Sequence, residues 1–363
     1  MKILRTHIIK DFVSVSIFSL LILSMVMFMG NLMKISDMVI RKGVNAIDAL
    51  KIFSFFVPYL LGFTIPLSFL LGVLLVMGRL IADNEITAIR VAGISLFRIL
   101  NIFLIIGAMF SLLLFILNDQ FIPDFHYRYR SQMKNIYSKN ISAFIEPGIF
   151  LDHFENYILY VTDKNGNKLK NVYIYELDEK QGSTKTIFAK EGEFVIENDI
   201  LTIKLEDGFR DETVAKNKTE LYRLNFKVFF MDIPIQKKEQ VSINKKPSDM
   251  RLKELRKKIK HLKKLNVDPT ELQAEFHKRI SFSFSVITFV ILGFGISLVV
   301  KHREKSINFV IAFVAAISYY LLFILGETLI DYRLISPFLG MWLPNLIIGS
   351  IGGFLLLKNA HFR

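Results

Sequence analysis

The chain of 363 residues contains no cysteine. Disulfides, a thiolate nucleophile, an iron–sulfur cluster and a zinc–thiolate site are thereby excluded, and any domain in water must be held by its own apolar core. None of the 19 glycines is followed by lysine, so there is no GxxxxGK[ST] phosphate loop and the chain is no P-loop ATPase by itself. HExxH and GxSxG are absent as well. The histidines (His7, His126, His153, His261, His277, His302 and His361) are scattered, and none falls in an apolar run where it would signal a proton relay.

Charge is missing in six places: Phe12 to Met33, Ile52 to Gly78, Ile99 to Asn118, Ile280 to Val300, Ser306 to Gly326 and Leu334 to Leu357. Each is long enough for a helix rising 1.5 Å per residue to cross a hydrocarbon core ~30 Å thick. Three runs precede one long polar insert and three follow it. The first is 22 residues long with no small-x-small cleavage site before Lys34, so it reads as a retained span and not as a signal peptide. Asp119, Glu327 and Asp331 stand at span ends, where snorkelling to water competes with a proton-coupling role.

Formal net charge is +13, and ten Lys/Arg against Asp249 and Glu254 crowd into residues 245–264. Beside a span, such a stretch reads as a solvated helix face or a contact with lipid head groups; no recognised nucleic-acid module accompanies it. Segments 1–11, 79–98, 301–305 and 358–363 carry eleven Lys/Arg, against five in 34–51 and 327–333. The positive-inside rule then puts both termini in the cytoplasm and the insert outside. Counting the basic residues that flank the insert tips the balance the other way.

From about Ile149 to Ile235 the apolar period is two. Tyr222, Leu224, Phe226, Val228 and Phe230 alternate with Arg223, Asn225, Lys227 and Phe229, and Leu201, Ile203 and Leu205 alternate with Thr202 and Lys204, as in strands with one wet face. Turns are expected at Asn165-Gly166-Asn167, Gln181-Gly182, Asn198-Asp199 and Asp207-Gly208, separating runs such as 156–162, 171–177, 186–190 and 193–197. This spacing predicts a β-sandwich or jelly roll, either offering an edge strand to a partner or forming a self-contained cap. After Pro247, Leu252, Leu255, Ile259 and Leu262 make a helical stripe capped by Ser248 or Asp249 and ended by Asn266 to Pro269; Asp268 with Pro269 then launches the next helix into the fourth span. Between spans two and three, Asp83, Glu85, Arg90, Ile81, Ile86 and Ile89 predict a short helix ending near Gly93, which either lies along the membrane or docks on a partner.

Three stretches, MGRLIADNEITAIRVAGIS (77–95), LQAEFHKRISFSF (272–284) and GETLIDYRLISPFLGMWLPN (326–345), resemble the LptF/LptG (YjgP/YjgQ) permeases of lipopolysaccharide export. The likeness covers essentially the whole chain. Many relatives carry a proline just after the HKR element, where this chain has Ser281-Phe282-Ser283. The resemblance implies six transmembrane helices, three and three, around a periplasmic β-jelly-roll domain. It divides the chain into 1–118 (spans, with a cytoplasmic coupling helix at about 79–95), 119–246 (β domain), 247–279 (basic linker helices) and 280–363 (spans).

It further implies a non-enzymatic, ATP-driven subunit of the bacterial inner membrane without a cofactor of its own. Its partners would be a cytoplasmic ABC ATPase dimer, a second permease of the same type and periplasmic jelly-roll bridge proteins, with lipopolysaccharide entering chiefly between the first and fifth spans. Asp83, Glu85 and Arg90 are the coupling residues it points to, Glu85 foremost. Lipid A phosphates need cations at head-group depth, which Lys34, Arg41 and Lys42 beyond the first span and Arg128 and Arg130 beyond the third supply, unless these are ordinary interfacial anchors. Phe18, Met25 and Phe28 recur at helical spacing as cavity lining, lipid-facing or packing residues. Two other classes remain: a membrane-anchored structural or assembly adaptor that docks proteins through its β domain, and a lipid-modifying enzyme, for which no polar constellation is found.

Overall fold

The computed structural model describes residues 2–139, 145–154, 157–178, 183–197, 200–213, 221–234, 245–299 and 305–361. Helices α1 (Lys2–Ile40), α2 (Ala46–Ala82), α3 (Glu85–Val91), α4 (Leu96–Ile116) and α5 (Ile122–Lys139) precede a sheet of strands β1 (Phe150–Phe154), β2 (Tyr157–Asn165), β3 (Lys168–Asp178), β4 (Ser183–Glu197), β5 (Ile200–Thr213) and β6 (Leu221–Pro234). Helices α6 (Leu252–Lys264), α7 (Thr270–Val299), α8 (Lys305–Asp331) and α9 (Pro337–His361) follow. Among the described residues, six helical stretches are long and apolar enough to cross a membrane: α1, α2, α4 continuing into α5, α7, α8 and α9. The expected fold class, six spans split around an inserted β domain, is what the chain adopts.

The chain divides into two compact units, residues 1–32, 53–128 and 244–363 in the first and 33–52 and 129–243 in the second. In the first, Phe12 meets Phe69 and Phe103 edge-on, with ring centroids 5.4 and 4.7 Å apart, inside a core of Ile8, Val73, Met77, Val290 and Phe294. A second cluster joins Leu70 and Leu74 of α2 to Phe289 of α7, Tyr319 of α8 and Met341 of α9. Helices α7 and α9 touch at backbone level: a Cβ on Gly295 would sit 2.5 Å from the Gly352 carbonyl oxygen, and one on Gly352 2.6 Å from Leu292 Cα. Lipid tails are as apolar as leucine, so such close small-residue contacts, and not water exclusion, hold helices together in a bilayer.

Helix α4 does not stop at Asn118, where the charge-free run ends. A π-turn at Leu117–Phe121 carries the helix on into α5. Such turns free backbone groups for other partners and recur at functional sites. Helix α7 runs unbroken through Ser281-Phe282-Ser283, the point at which a proline kink is expected in relatives.

In the second unit, Met38, Val44, Ala49, Ile52 and Ile136 form a small apolar cluster. The sheet is antiparallel throughout, each strand paired with its neighbours in sequence. Leu159, Val161, Val172, Ile174, Ile187, Phe194, Leu201, Ile203 and Leu205 fill one face, as the alternation in β5 predicts. Across the opposite face runs a ladder of Phe150, Tyr160, Tyr173, Phe188 and Phe209, one ring per strand with neighbouring centroids 4.6 to 5.9 Å apart. The turn at Asn165-Gly166-Asn167 is present, with Asn165 paired to Lys168 and Gly166 at φ +62°; those expected at Gln181-Gly182 and Asn198-Asp199 lie outside the described residues.

Three strand expectations are corrected. Asp207-Gly208 is no turn: β5 passes through it, Asp207 bending the strand at φ +49° while a side chain on Gly208 would collide with the Phe188 carbonyl oxygen. Runs 186–190 and 193–197 are one strand, β4, because Gly192 serves close packing and not a break: a Cβ there would lie 3.1 Å from Val172 Cγ2. In β6 the expected inward set holds at Phe226, which packs on the core with Tyr222 and Leu224 exposed beyond it, but fails at Val228 and Phe230, which are exposed while Met231 is buried and Phe229 packs on the core. Register explains the difference, since Met231 and Phe229 pair with the inward Ile203 and Leu205, and Phe230 and Val228 with the outward Lys204 and Glu206, whereas the ladder skips Asp207 and Lys227 and returns Phe226 to the inward side, opposite Gly208, which pairs in turn with Ala189.

Candidate functional sites

The short helix α3 is framed by two left-handed residues. Asn84 (φ 58°) turns the chain out of α2, its amide donating to the Ile81 carbonyl, and Gly93 (φ 75°) turns it toward α4. Ile86 and Ile89, three apart and so on one face, are buried in the core that holds Leu80 and Leu96. The opposite face looks outward: Val91 is 85% exposed, Asp83 is exposed, and Glu85 and Arg90 are half-buried. The end of α2 is tied to α1 by an Arg79–Asp11 ion pair, with His7 Nε2 3.2 Å from the same carboxylate. The short helix itself packs against the end of α2 at Leu80 and the start of α4 at Leu96.

The cations expected at head-group depth differ in availability. Lys34 is exposed; Arg41 is exposed and 3.2 Å from Asp37, an i,i+4 surface pair of small energetic weight. Lys42 is half-buried with its ammonium 2.7 Å from Glu146, so its charge is largely committed within the protein. Arg128 is exposed over the Phe125 ring, and Arg130 on the same helix is half-buried. Phe18 and Met25 point outward, 65% and 68% exposed, whereas Phe28 packs on Phe53 with centroids 5.1 Å apart. In the sheet, burial pushes the Lys164 ammonium below its ordinary pKa, and Glu146 partly offsets this.

A polar junction, not legible in the sequence, lies before α6. The segment before α6 is fastened to helices distant in sequence. Buried Asp249 lies 2.6 Å from His126 Nδ1 and accepts the Lys246 amide at 3.0 Å. Arg251 pairs with Asp124. The Leu252 amide donates to Asp119 at 2.8 Å, so the first turn of α6 is capped from the π-turn and not by Ser248 or Asp249, whose carboxylate is occupied elsewhere. Asp119 therefore has a local structural partner. Arg279, only 5% exposed, donates to Glu275 at 2.8 Å and to the carbonyls of Met250, Pro247 and Ser248. The amphipathic α6 lays Leu252, Leu255, Ile259 and Leu262 against Phe115, Leu272 and Phe276.

The second and third of the quoted stretches meet in space. Lys278 Nζ is 3.1 Å from Glu327, His277 packs edge-on against Phe338, and Asn345 Nδ2 donates to the Ser281 carbonyl at 2.7 Å. Thr288 and Tyr319 both donate to Asn345 Oδ1, so this asparagine ties α7, α8 and α9. Asp268 caps α7 through the Thr270 amide at 3.0 Å, as its sequence predicts, and the Thr270 hydroxyl and amide, helped by Arg333, hold its carboxyl below the usual range. Among the described residues no group of three or more His, Asp or Glu is arranged to hold a metal ion.

Six apolar helices long enough to cross a membrane, with a sheet inserted after the third and a small outward-facing helix at a tight interspan turn, define a multispanning membrane protein with an inserted β domain. Residues 6–358 match the model of the lipopolysaccharide export system permeases LptF/LptG, and the chain belongs to that family. It is 23% identical to the lipopolysaccharide export system permease protein LptF of Escherichia coli K12 over 357 residues, 95% of this chain and 92% of that one. The LptF protein of Shigella flexneri is similar to the same degree. Membership makes this an inner-membrane permease acting in lipopolysaccharide export with other Lpt proteins.

Proposed function

We propose that the chain is the transmembrane half of an ATP-driven extractor that draws lipopolysaccharide from the outer leaflet of the inner membrane and passes it to a periplasmic bridge. One observation carries the reading beyond family membership: the first and fifth spans are the least covered, 22% and 28% buried along their apolar windows against 78% for the second. Apolar helices that leave most of their surface to lipid or to another chain are what a lateral entry between two paired permeases requires. A second, similar permease is the partner for those faces.

In this reading both termini and α3 are cytoplasmic and the sheet is periplasmic. A separate ABC ATPase dimer binds and hydrolyses ATP, since this sequence has no phosphate loop. Glu85 makes the leading charged contact with it, assisted by Arg90 and Asp83, while Ile86 and Ile89 transmit the movement inward. Lys34, Arg41 and Arg128 have the exposure to meet lipid A phosphates; Lys42 and Arg130 contribute less. Exposed Leu224, Val228 and Phe230 on the outermost described strand fit β-augmentation by the jelly-roll of a bridge protein.

The test is co-purification from cells in mild detergent. Parent chain and second permease should bring down the ATPase, and Glu85→Arg should lose it while keeping the second permease. If Glu85→Arg retains as much ATPase as the parent, the coupling assignment is wrong. If no ATPase accompanies the parent chain either, the adaptor reading replaces the transport one.

A further inference from the structure

An open cleft of about 300 Å³ lies between the beginnings of α1 and α4, lined by Leu4, Arg5, Ile8, Ile94, Arg98, Asn101, Ile102 and neighbours. It is no part of the sites above. Its composition is divided: Ile8 and Ile99 form a buried floor, 1% and 2% exposed, Ile102 and Ile105 continue it along α4, and two guanidinium groups with the Asn101 amide stand at the rim. Arg98 immediately precedes the charge-free span at Ile99 and Arg5 lies about two helical turns before the one at Phe12, and both spans enter the bilayer from the same end of the bundle. They therefore sit at head-group depth whichever way the protein is oriented.

We infer that this cleft binds an anionic membrane phospholipid, its phosphate held by Arg5 and Arg98 and its glycerol and first acyl carbons lying on Ile8, Ile99, Ile102 and Ile105. The chemistry selects that occupant. A guanidinium fork matches phosphate oxygens in two-point hydrogen bonds, and paired arginines favour a head group of net negative charge over a zwitterion, whose own cation they repel. A free phosphate would leave the apolar floor uncovered, and the volume admits the head and upper chains of a lipid but not all of it. Ile94, on the cleft wall, donates its amide to the Ile89 carbonyl at 3.1 Å, so a bound lipid braces the end of α3. This binding stands whether or not the transport reading does.

Full-length protein in detergent is equilibrated with equal amounts of phosphatidylglycerol and phosphatidylcholine, and retained lipid is counted by native mass spectrometry. The parent should favour phosphatidylglycerol by about tenfold or more, and inorganic phosphate should not displace it. Arg5→Gln with Arg98→Gln should bring the preference near parity, whereas Lys10→Gln with Lys358→Gln, the same charge loss outside the cleft, should leave it. Ile102→Trp, which fills the floor with both arginines intact, should lower retention of the lipid, and it serves equally if the arginine pair fails to fold. Unchanged preference in the arginine pair, equal loss in the lysine pair, or displacement by free phosphate overturns the site.

Discussion

Replacing Arg279 by alanine is expected to cost more than any other single side-chain change at the junction. Four groups face its guanidinium: the Glu275 carboxylate and the carbonyls of Met250, Ser248 and Pro247. The Pro247 carbonyl keeps another donor, the Met250 amide at 3.3 Å. The Ser248 and Met250 carbonyls and the carboxylate lose the partner around which they are arranged. At ~1–3 kcal/mol for each buried group left unsatisfied, with water reaching some of them, the loss should be about 3–5 kcal/mol. Arg279→Lys keeps the charge but not the fork and should lose about half of that.

Equilibrium unfolding of the detergent-solubilised chain by SDS, followed by tryptophan fluorescence of Trp342, gives the number. A cycle with Glu275→Ala sharpens it, because once the arginine is gone the carboxylate is a liability, so the double variant should be less destabilised than the sum by about 1–3 kcal/mol. A loss below about 1 kcal/mol for Arg279→Ala, or strict additivity, refutes the account of the junction as a hydrogen-bonded clasp.

Gly352→Leu should abolish the α7–α9 backbone contact and convert a monodisperse size-exclusion peak into aggregate, whereas Gly353→Leu, whose Cβ meets nothing within 4 Å, should not. In the sheet, Ile203→Ala should cost about 2–5 kcal/mol, measured as a lowered unfolding midpoint, while Phe230→Lys on the outward face should leave the midpoint unchanged and reduce capture of the jelly-roll partner. Asp268, whose carboxyl the Thr270 hydroxyl holds below its ordinary value, contributes stability present above the unfolded carboxylate pKa of about 3.9 and lost as pH falls through the folded value. Melting curves from pH 7 to pH 3 should therefore fall more for the parent than for Asp268→Asn, which keeps an oxygen acceptor but does not titrate.

What the sequence displays and what it hides follow from how far apart the interacting groups lie. Spans need no partner to be recognised, since hydrocarbon asks only for length without charge, and α3 is legible because Ile86 and Ile89 share a face between two turn-formers. The cap of α7 is legible for the same reason, Asp268 and Thr270 being two residues apart. The junction is not: His126 and Asp249 are separated by 123 positions, and nothing in either neighbourhood names the other. A trace of it was present nonetheless, an aspartate embedded among cations beside Pro247, where a solvated basic face has no use for an acid. In the sheet, glycine is the ambiguous letter. Gly166 marks a turn and takes a positive φ, but Gly192 and Gly208 mark places where a neighbouring strand comes too close for a side chain. Strand β6 changes face between Phe226 and Val228, where the ladder skips Lys227, so alternation alone holds for the first half and fails for the second; only the pairing of Met231 with Ile203 shows the switch. A strand that spends Val228 and Phe230 on its outer face and leaves Leu224 exposed beyond the core gains nothing for its own fold from doing so. That excess of apolar surface argues for a partner at the sheet, just as the thin cover of the first and fifth spans argues for one in the membrane.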